Sequence, residues 1–245
     1  MIRAHVWATS HTGLVRKRNE DSWGVTEMPG AAEDGEIVSA DLAEDWVVAV
    51  VADGLGGHPC GDLASRLAVA AVLDAKPRTA DELARAVHGA NDALYARMAD
   101  EPETRGMGTT LAALLVHPGG IAVANVGDSA VFELLDGRPR QLTVDDIPSG
   151  PKSLPGVPSG VVTQTLGGSG TFTPVRPHLH LDEECGDRWF LLCTDGLTNF
   201  VPLSDIARLT TVLCDESLPA LVSSALEVGG LDNLTILLLR CQVFA

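Results

Sequence analysis

The spacing of apolar and polar positions along this chain changes several times, and each change marks an element. Trp46-Val47-Val48-Ala49-Val50-Val51-Ala52 is an unbroken, β-branched apolar run ended by Asp53-Gly54, which predicts a strand buried on both faces. Arg188-Trp189-Phe190-Leu191-Leu192-Cys193-Thr194 has the same form and ends in Asp195-Gly196. Leu111 to Val116 leads into the turn His117-Pro118-Gly119-Gly120 and predicts a strand paired with the one that follows. Ile121 to Val126 and Ala130 to Leu135 flank Gly127-Asp128-Ser129, which predicts a hairpin. Leu234 to Val243 predicts a long closing strand.

Helical spacing fills the gaps. Asp62 to Leu73 is rich in alanine and leucine. Thr79 to Met98 opens on a capping threonine with acids in the first turn, then repeats apolar residues at Leu83, Val87, Ala90, Leu94 and Met98. Leu203 to Leu213 and Ser217 to Val228 predict a second helical pair. Strands interrupted by two helical pairs imply layered sheets covered by helices. Met28 to Glu44 and Ile147 to Gly160 read as loops, the latter with prolines at 148, 151, 155 and 158. Neither reads as a domain boundary, so one domain over residues 1–245 is expected.

Composition narrows the picture. At 245 residues with 45% hydrophobic and 20% charged positions, the chain is globular and long enough for a sizeable core. Its formal net charge of -16 disfavours nucleic acid and anionic lipid as partners and suits divalent cations. Five cysteines, none in a CxxC pair, argue against a disulfide framework and against zinc. With no leader core after Met1 and no apolar run near the ~20 residues that span a bilayer, a cytoplasmic location is expected.

The chemistry-bearing feature is the placement of aspartates. Asp53, Asp128 and Asp195 each follow an apolar strand and adjoin a glycine, and Asp232 immediately precedes the closing strand segment. One Asp-Gly is ordinarily a turn. Four aspartates at strand ends can meet at one sheet edge, where carboxylates without neighbouring cations repel one another unless a metal neutralises them. Oxygen-only ligands favour Mg²⁺ or Mn²⁺. The densest basic patch, Arg16-Lys17-Arg18, precedes Asn19-Glu20-Asp21, and an arginine fork there could hold a phosphate.

Taken with their order, these blocks resemble the metal-dependent protein phosphatases, the type 2C serine/threonine family, in its bacterial single-domain form. The matching blocks are Gly13-Leu14-Val15-Arg16 with Asn19-Glu20-Asp21, Asp53-Gly54-Leu55-Gly56-Gly57-His58, Gly106-Met107-Gly108-Thr109-Thr110, Asn125-Val126-Gly127-Asp128-Ser129, Cys193-Thr194-Asp195-Gly196-Leu197 and Gly230-Leu231-Asp232-Asn233-Leu234-Thr235. The resemblance implies an α+β fold, a four-layer αββα sandwich of two antiparallel sheets flanked by helical pairs. It implies a pair of Mn²⁺ or Mg²⁺ ions, with a weaker third one, and hydrolysis of phosphoserine and phosphothreonine in proteins by metal-activated water. Asp53 would bridge the pair, the Gly54 carbonyl would help bind one ion, Asp195 and Asp232 would hold the other, and Asp128 with Asp195 the third. Glu20 and Asp21 would hold metal-bound waters, Arg16 the substrate phosphate, and Asn233 would orient its neighbour. A cognate Ser/Thr kinase is the implied counterpart.

Three departures stand out. Leu55 occupies the place where many eukaryotic members carry a histidine, and His58 matches a bacterial pattern in which it is structural. Ala130 follows Gly-Asp-Ser where arginine is common. The flap region, about residues 146–167, is short and proline-rich, which predicts an irregular loop. A non-catalytic phosphoprotein-binding module and a hydrolase of small phosphoesters remain as rival readings.

Overall fold

The computed structural model describes residues 1–30, 34–55, 60–135, 138–148, 161–213 and 215–243. The proline-rich loop, His58 and Cys214 lie outside the described residues or largely so. The strands are β1 (Ile2–His11), β2 (Asp21–Val25), β3 (Met28–Pro29), β4 (Val38–Glu44), β5 (Val47–Asp53), β6 (Gly108–Thr109), β7 (Leu111–His117), β8 (Gly120–Val126), β9 (Ala130–Leu135), β10 (Arg138–Gln141), β11 (Leu166–Gly167), β12 (His178–Asp182), β13 (Asp187–Cys193) and β14 (Leu234–Val243). The helices are α1 (Gly61–Asp74), α2 (Ala80–Asp100), α3 (Asp195–Thr198), α4 (Leu203–Leu209) and α5 (Ser217–Glu227).

Two six-stranded antiparallel sheets form the centre. One has the order β10-β9-β13-β14-β1-β4 and the other β12-β8-β7-β5-β2-β3, and β6 pairs with β11 as a small third sheet. The apolar runs are buried on both faces because each sheet is covered on both. In β5, Val47, Ala49 and Val51 face the opposite sheet, while Val48, Val50 and Ala52 pack under α1 and α2. In β14, Leu237 and Leu239 point between the sheets and Ile236 and Leu238 pack against the α3–α5 side. Helix, sheet, sheet and helix therefore alternate around three apolar seams.

Local chemistry explains most boundaries. Thr79 caps α2, its Oγ1 accepting the Glu82 N–H at 3.2 Å, and the Glu82 carboxylate accepts the Arg78 N–H at 2.8 Å. The helix α4 ends at Leu209, short of the predicted Leu213. Thr210 turns its hydroxyl back onto the Ile206 carbonyl at 2.8 Å, and the β-branched run Thr210-Thr211-Val212 disfavours further helix.

Two expectations are corrected. Met28 to Glu44 is not all loop: Val38–Glu44 is an edge strand paired with β1, half-exposed along its length, so its acids and alanines gave no apolar run to read. Gly127-Asp128-Ser129 does not close a hairpin, because β8 belongs to one sheet and β9 to the other. Both strands are buried, and the same apolar pattern serves a sheet-to-sheet crossing equally well.

The strand ends remote from the aspartates are tied by charge. Arg188, 9% exposed, donates Nε–H to Glu133 at 2.7 Å and Nη2–H to Asp182 at 2.9 Å. Glu133 and Arg188 lie on one sheet and Asp182 on the other, and Arg140 adds a further bond to Glu133. Among the described residues no helix is long and apolar enough to cross a membrane.

Candidate metal and phosphate site

The crossing from β8 to β9 brings the ends of both sheets to a common edge. Asp53 is the last residue of β5, and Asp21, the first residue of β2, lies opposite it in register. Asp195 follows β13 and opens α3, and Asp232 precedes β14, the neighbour of β13. A cavity of about 820 Å³ at this edge is lined by Arg16, Glu20, Asp53, Gly54, Asp128, Asp195, Asp232 and Asn233. Every site residue singled out from the sequence except Asp21 thus reaches one cavity wall.

Asp21 lies beneath it. Its Oδ2 accepts hydroxyl bonds from Thr194, just past the end of β13, and from Thr235 in β14, each at 2.8 Å. Its Oδ1 is buried with no hydrogen-bond partner. Burial pushes the Asp21 carboxyl up to about 7, against the pull of the two hydroxyls, and the neighbouring Asp195 and Asp232 charges push the same way. Asp53 is raised well above the usual carboxylate range, first by burial and then by the charges of Asp21 and Asp195. Glu20 is raised by burial, although Arg16 opposes it.

Asn233 clamps the basic segment onto this edge. Its Nδ2 donates to the Thr12 and Arg18 carbonyls, both at 2.8 Å, and its Oδ1 accepts the Glu20 N–H at 2.9 Å. Its own N–H donates to Asp232 Oδ1 at 2.8 Å, which fixes that carboxylate. The Asn233 side chain thus ties the Thr12–Glu20 turn to this edge, while its backbone holds Asp232. Arg16 extends from that turn and donates Nη2–H to Asp232 Oδ2 at 2.7 Å, and this bond chiefly raises the guanidinium pKa. The Gly54 N–H donates to the Glu20 carbonyl at 3.1 Å. Gly196 is needed because a Cβ there would stand 1.9 Å from the Asn233 carbonyl oxygen, where α3 passes over the turn.

The sequence reading assigns no role to several supporting residues. Thr110 accepts the Asp53 N–H at 3.0 Å and bonds Ser129 at 2.7 Å, joining the ends of β5 and β9. Ser65 on α1 donates to the Glu20 carbonyl at 2.6 Å. Asp146 accepts bonds from the crossing turn and from β12. Threonine, serine and aspartate are ordinary loop residues, and only the tertiary fold shows what they hold. Cys60 stands half-buried at the start of α1, packed against the helix–sheet seam.

Divalent cations fit this donor set. Burial and mutual repulsion disfavour the charged carboxylates, as expected of a cluster that lacks its counter-charge, and the buried Asp21 Oδ1 has no donor facing it. Among the described residues no three His, Cys, Asp or Glu side chains close around one point. The donors at this edge are carboxylate oxygens, which suit Mg²⁺ or Mn²⁺, and Mg²⁺ keeps several waters and needs only one or two carboxylates.

Layered antiparallel sheets thus carry carboxylates and an arginine at their common edge, an arrangement that suits a divalent cation beside an anion. The protein phosphatase 2C profile matches residues 30–226. The serine/threonine protein phosphatase PstP of Mycobacterium tuberculosis is 33% identical over 94% of this chain, which spans only 43% of that protein. The serine/threonine phosphatase stp of Listeria monocytogenes is 30% identical over 96% of this chain and 95% of its own length. The crystal structure of mycobacterial PstP/Ppp superposes with a TM-score of 0.78 at 29% identity, covering 98% of this chain and 99% of that one. A structure of the PstP catalytic domain in complex with two manganese ions gives 0.75 at 29% identity over 99% and 100%. The chain belongs to the protein phosphatase 2C family.

Proposed function

We propose that this chain is a metal-dependent protein serine/threonine phosphatase, one catalytic domain over residues 1–245, acting on phosphorylated proteins of the cytoplasm. The observation that carries the reading is the convergence of Asp53, Asp128, Asp195 and Asp232 with Arg16 on one cavity. Asp53 and the Gly54 carbonyl would hold one Mn²⁺ or Mg²⁺ ion, with Asp53 shared by a second ion held by Asp195 and Asp232. Asp128 with Asp195 would hold a weaker third. Glu20 and Asp21 would hold water on these ions. When bound, such ions supply Lewis acidity and activated water for attack at phosphorus.

The remaining work falls to the chain itself. Arg16 binds the phosphate dianion and offsets charge in the transition state, from a turn fixed by Asn233. Leu55 gives the cavity an apolar wall, and a water would protonate the leaving alkoxide. None of the described residues lining the cavity is a cysteine or a serine, and Cys193 is fully buried with its thiol pKa pushed far up by burial. A Ser/Thr kinase would supply the substrates. The test is release of phosphate from a phosphothreonine peptide with Mn²⁺, beside a nucleotide and beside the same peptide with EDTA. Peptide hydrolysis that stops with EDTA is expected, and a clear preference for the nucleotide would overturn the protein-substrate reading.

A further inference from the structure

Asp146 has no part in the metal or phosphate assignments above, yet it is one of the most heavily bonded carboxylates near the cavity. Its Oδ2 accepts the Gly127 N–H at 2.9 Å and the Gln164 side-chain N–H at 2.9 Å. Its Oδ1 lies 2.9 Å from His178 Nε2 at the start of β12. Its backbone repeats both links: the Asp146 N–H donates to the Gly127 carbonyl at 3.0 Å, and its carbonyl accepts the Thr163 N–H at 2.7 Å. The side chain is 13% exposed, so these bonds form with little competition from water.

Gly127 immediately precedes Asp128, and it holds φ at +96° with no room for a Cβ against Thr110. Gln164 and Thr163 lie in the stretch whose Val161, Val162 and Thr165 form another part of the cavity wall. One carboxylate therefore braces two separate walls, the Asp128 turn and the 161–165 stretch, and His178 fixes that carboxylate from behind. We infer that Asp146, oriented by His178, is a positioning residue that sets where Asp128 stands toward a divalent cation. The inference rests on the reading of Asp128 as a cation ligand.

Two measurements on the full chain separate the inference from that reading. Amide hydrogen exchange without added metal tests the bracing itself. In Asp146→Ala, amides of Gly127, Asp128 and Thr163 should exchange faster than in the parent by about tenfold or more, while those of α1 and α2 stay unchanged. Equal exchange at those amides overturns the inference. Calorimetric titration with Mn²⁺ alone tests the consequence. The weakest cation site of Asp146→Ala should lose about tenfold in affinity, with tighter sites unmoved. Asp146→Asn, which keeps an acceptor for Gly127, should recover part of the loss. A uniform loss at every site, or none, overturns the inference. Asp128→Asn is the control: a titration unchanged by it sinks the ligand reading, and the exchange result then decides the bracing alone.

Discussion

At the scale of single residues, Asp21 shows how burial turns into pH dependence. An unfolded aspartate titrates near pH 3.9, and the folded Asp21 near 7. Below the first value both states hold the proton, and Asp21 favours neither. Between the two the folded state holds more protons, so its stability falls as pH rises, and above about 7 the loss is complete. In metal-free buffer the melting temperature of the parent should therefore fall relative to Asp21→Asn between about pH 4 and about pH 7, and level off above that. Parallel profiles for the two proteins would contradict the assignment. Asp53→Asn, Asp195→Asn and Asp232→Asn should each cut turnover about a hundredfold or more while the chain still folds, as circular dichroism can check. Arg16→Ala should mainly raise KM for a phosphopeptide, by about tenfold, and an unchanged KM would assign the phosphate to another cation. These residues could be named from the sequence because strand, aspartate and glycine fall in a fixed order. Thr194, Thr235 and Thr110 stand in the same blocks, but their bonds to Asp21 and Asp53 are not legible there, since nothing local distinguishes a threonine that holds a carboxylate from one that merely ends a strand.

At the scale of elements, the passage of α3 over the Asp232-Asn233 turn leaves no room for a side chain at Gly196. Gly196→Ala should push that turn away and cost about 1–3 kcal/mol of stability, read as a lower urea midpoint. Because Asp195 and Asp232 sit on the two sides of this contact, activity should fall further than stability alone would explain. The apolar runs of β5, β7, β13 and β14 were legible because both faces of each are buried. The partner of each strand was not always legible. The β8 and β9 runs look like a hairpin, yet β9 pairs with β13 and β10, and the choice is made by the opposite sheet rather than by the turn. The edge strand β4 escaped notice for the converse reason, that only half of each side chain is covered.

For the whole molecule, the ion network of Arg188, Glu133 and Asp182 closes the end of the sandwich away from the site. Glu133→Ala leaves a guanidinium that is 9% exposed with Asp182 and the Glu184 carbonyl as its remaining partners, and should cost about 3 kcal/mol. The urea midpoint should drop with an unchanged slope. Turnover at saturating metal should be preserved, because the site lies at the other end of the strands. The four-layer arrangement was readable from the order of strands and helical pairs, but this network was not, because its members come from β9, β10, β12 and β13 and meet only after the sheets stack.

That arrangement has a mechanical side. Asp53 ends a strand of one sheet, and Asp195 and Asp232 flank strands of the other. A cation shared among them would span the seam like a rivet, at the end opposite the ionic clasp. If the two sheets were pulled apart from tethers placed near the cavity, the first bonds to part would be those that hold the cation. Rupture force in a single-molecule pulling experiment should then rise with Mn²⁺, return to its lower value with EDTA, and be insensitive to Mn²⁺ in Asp53→Asn.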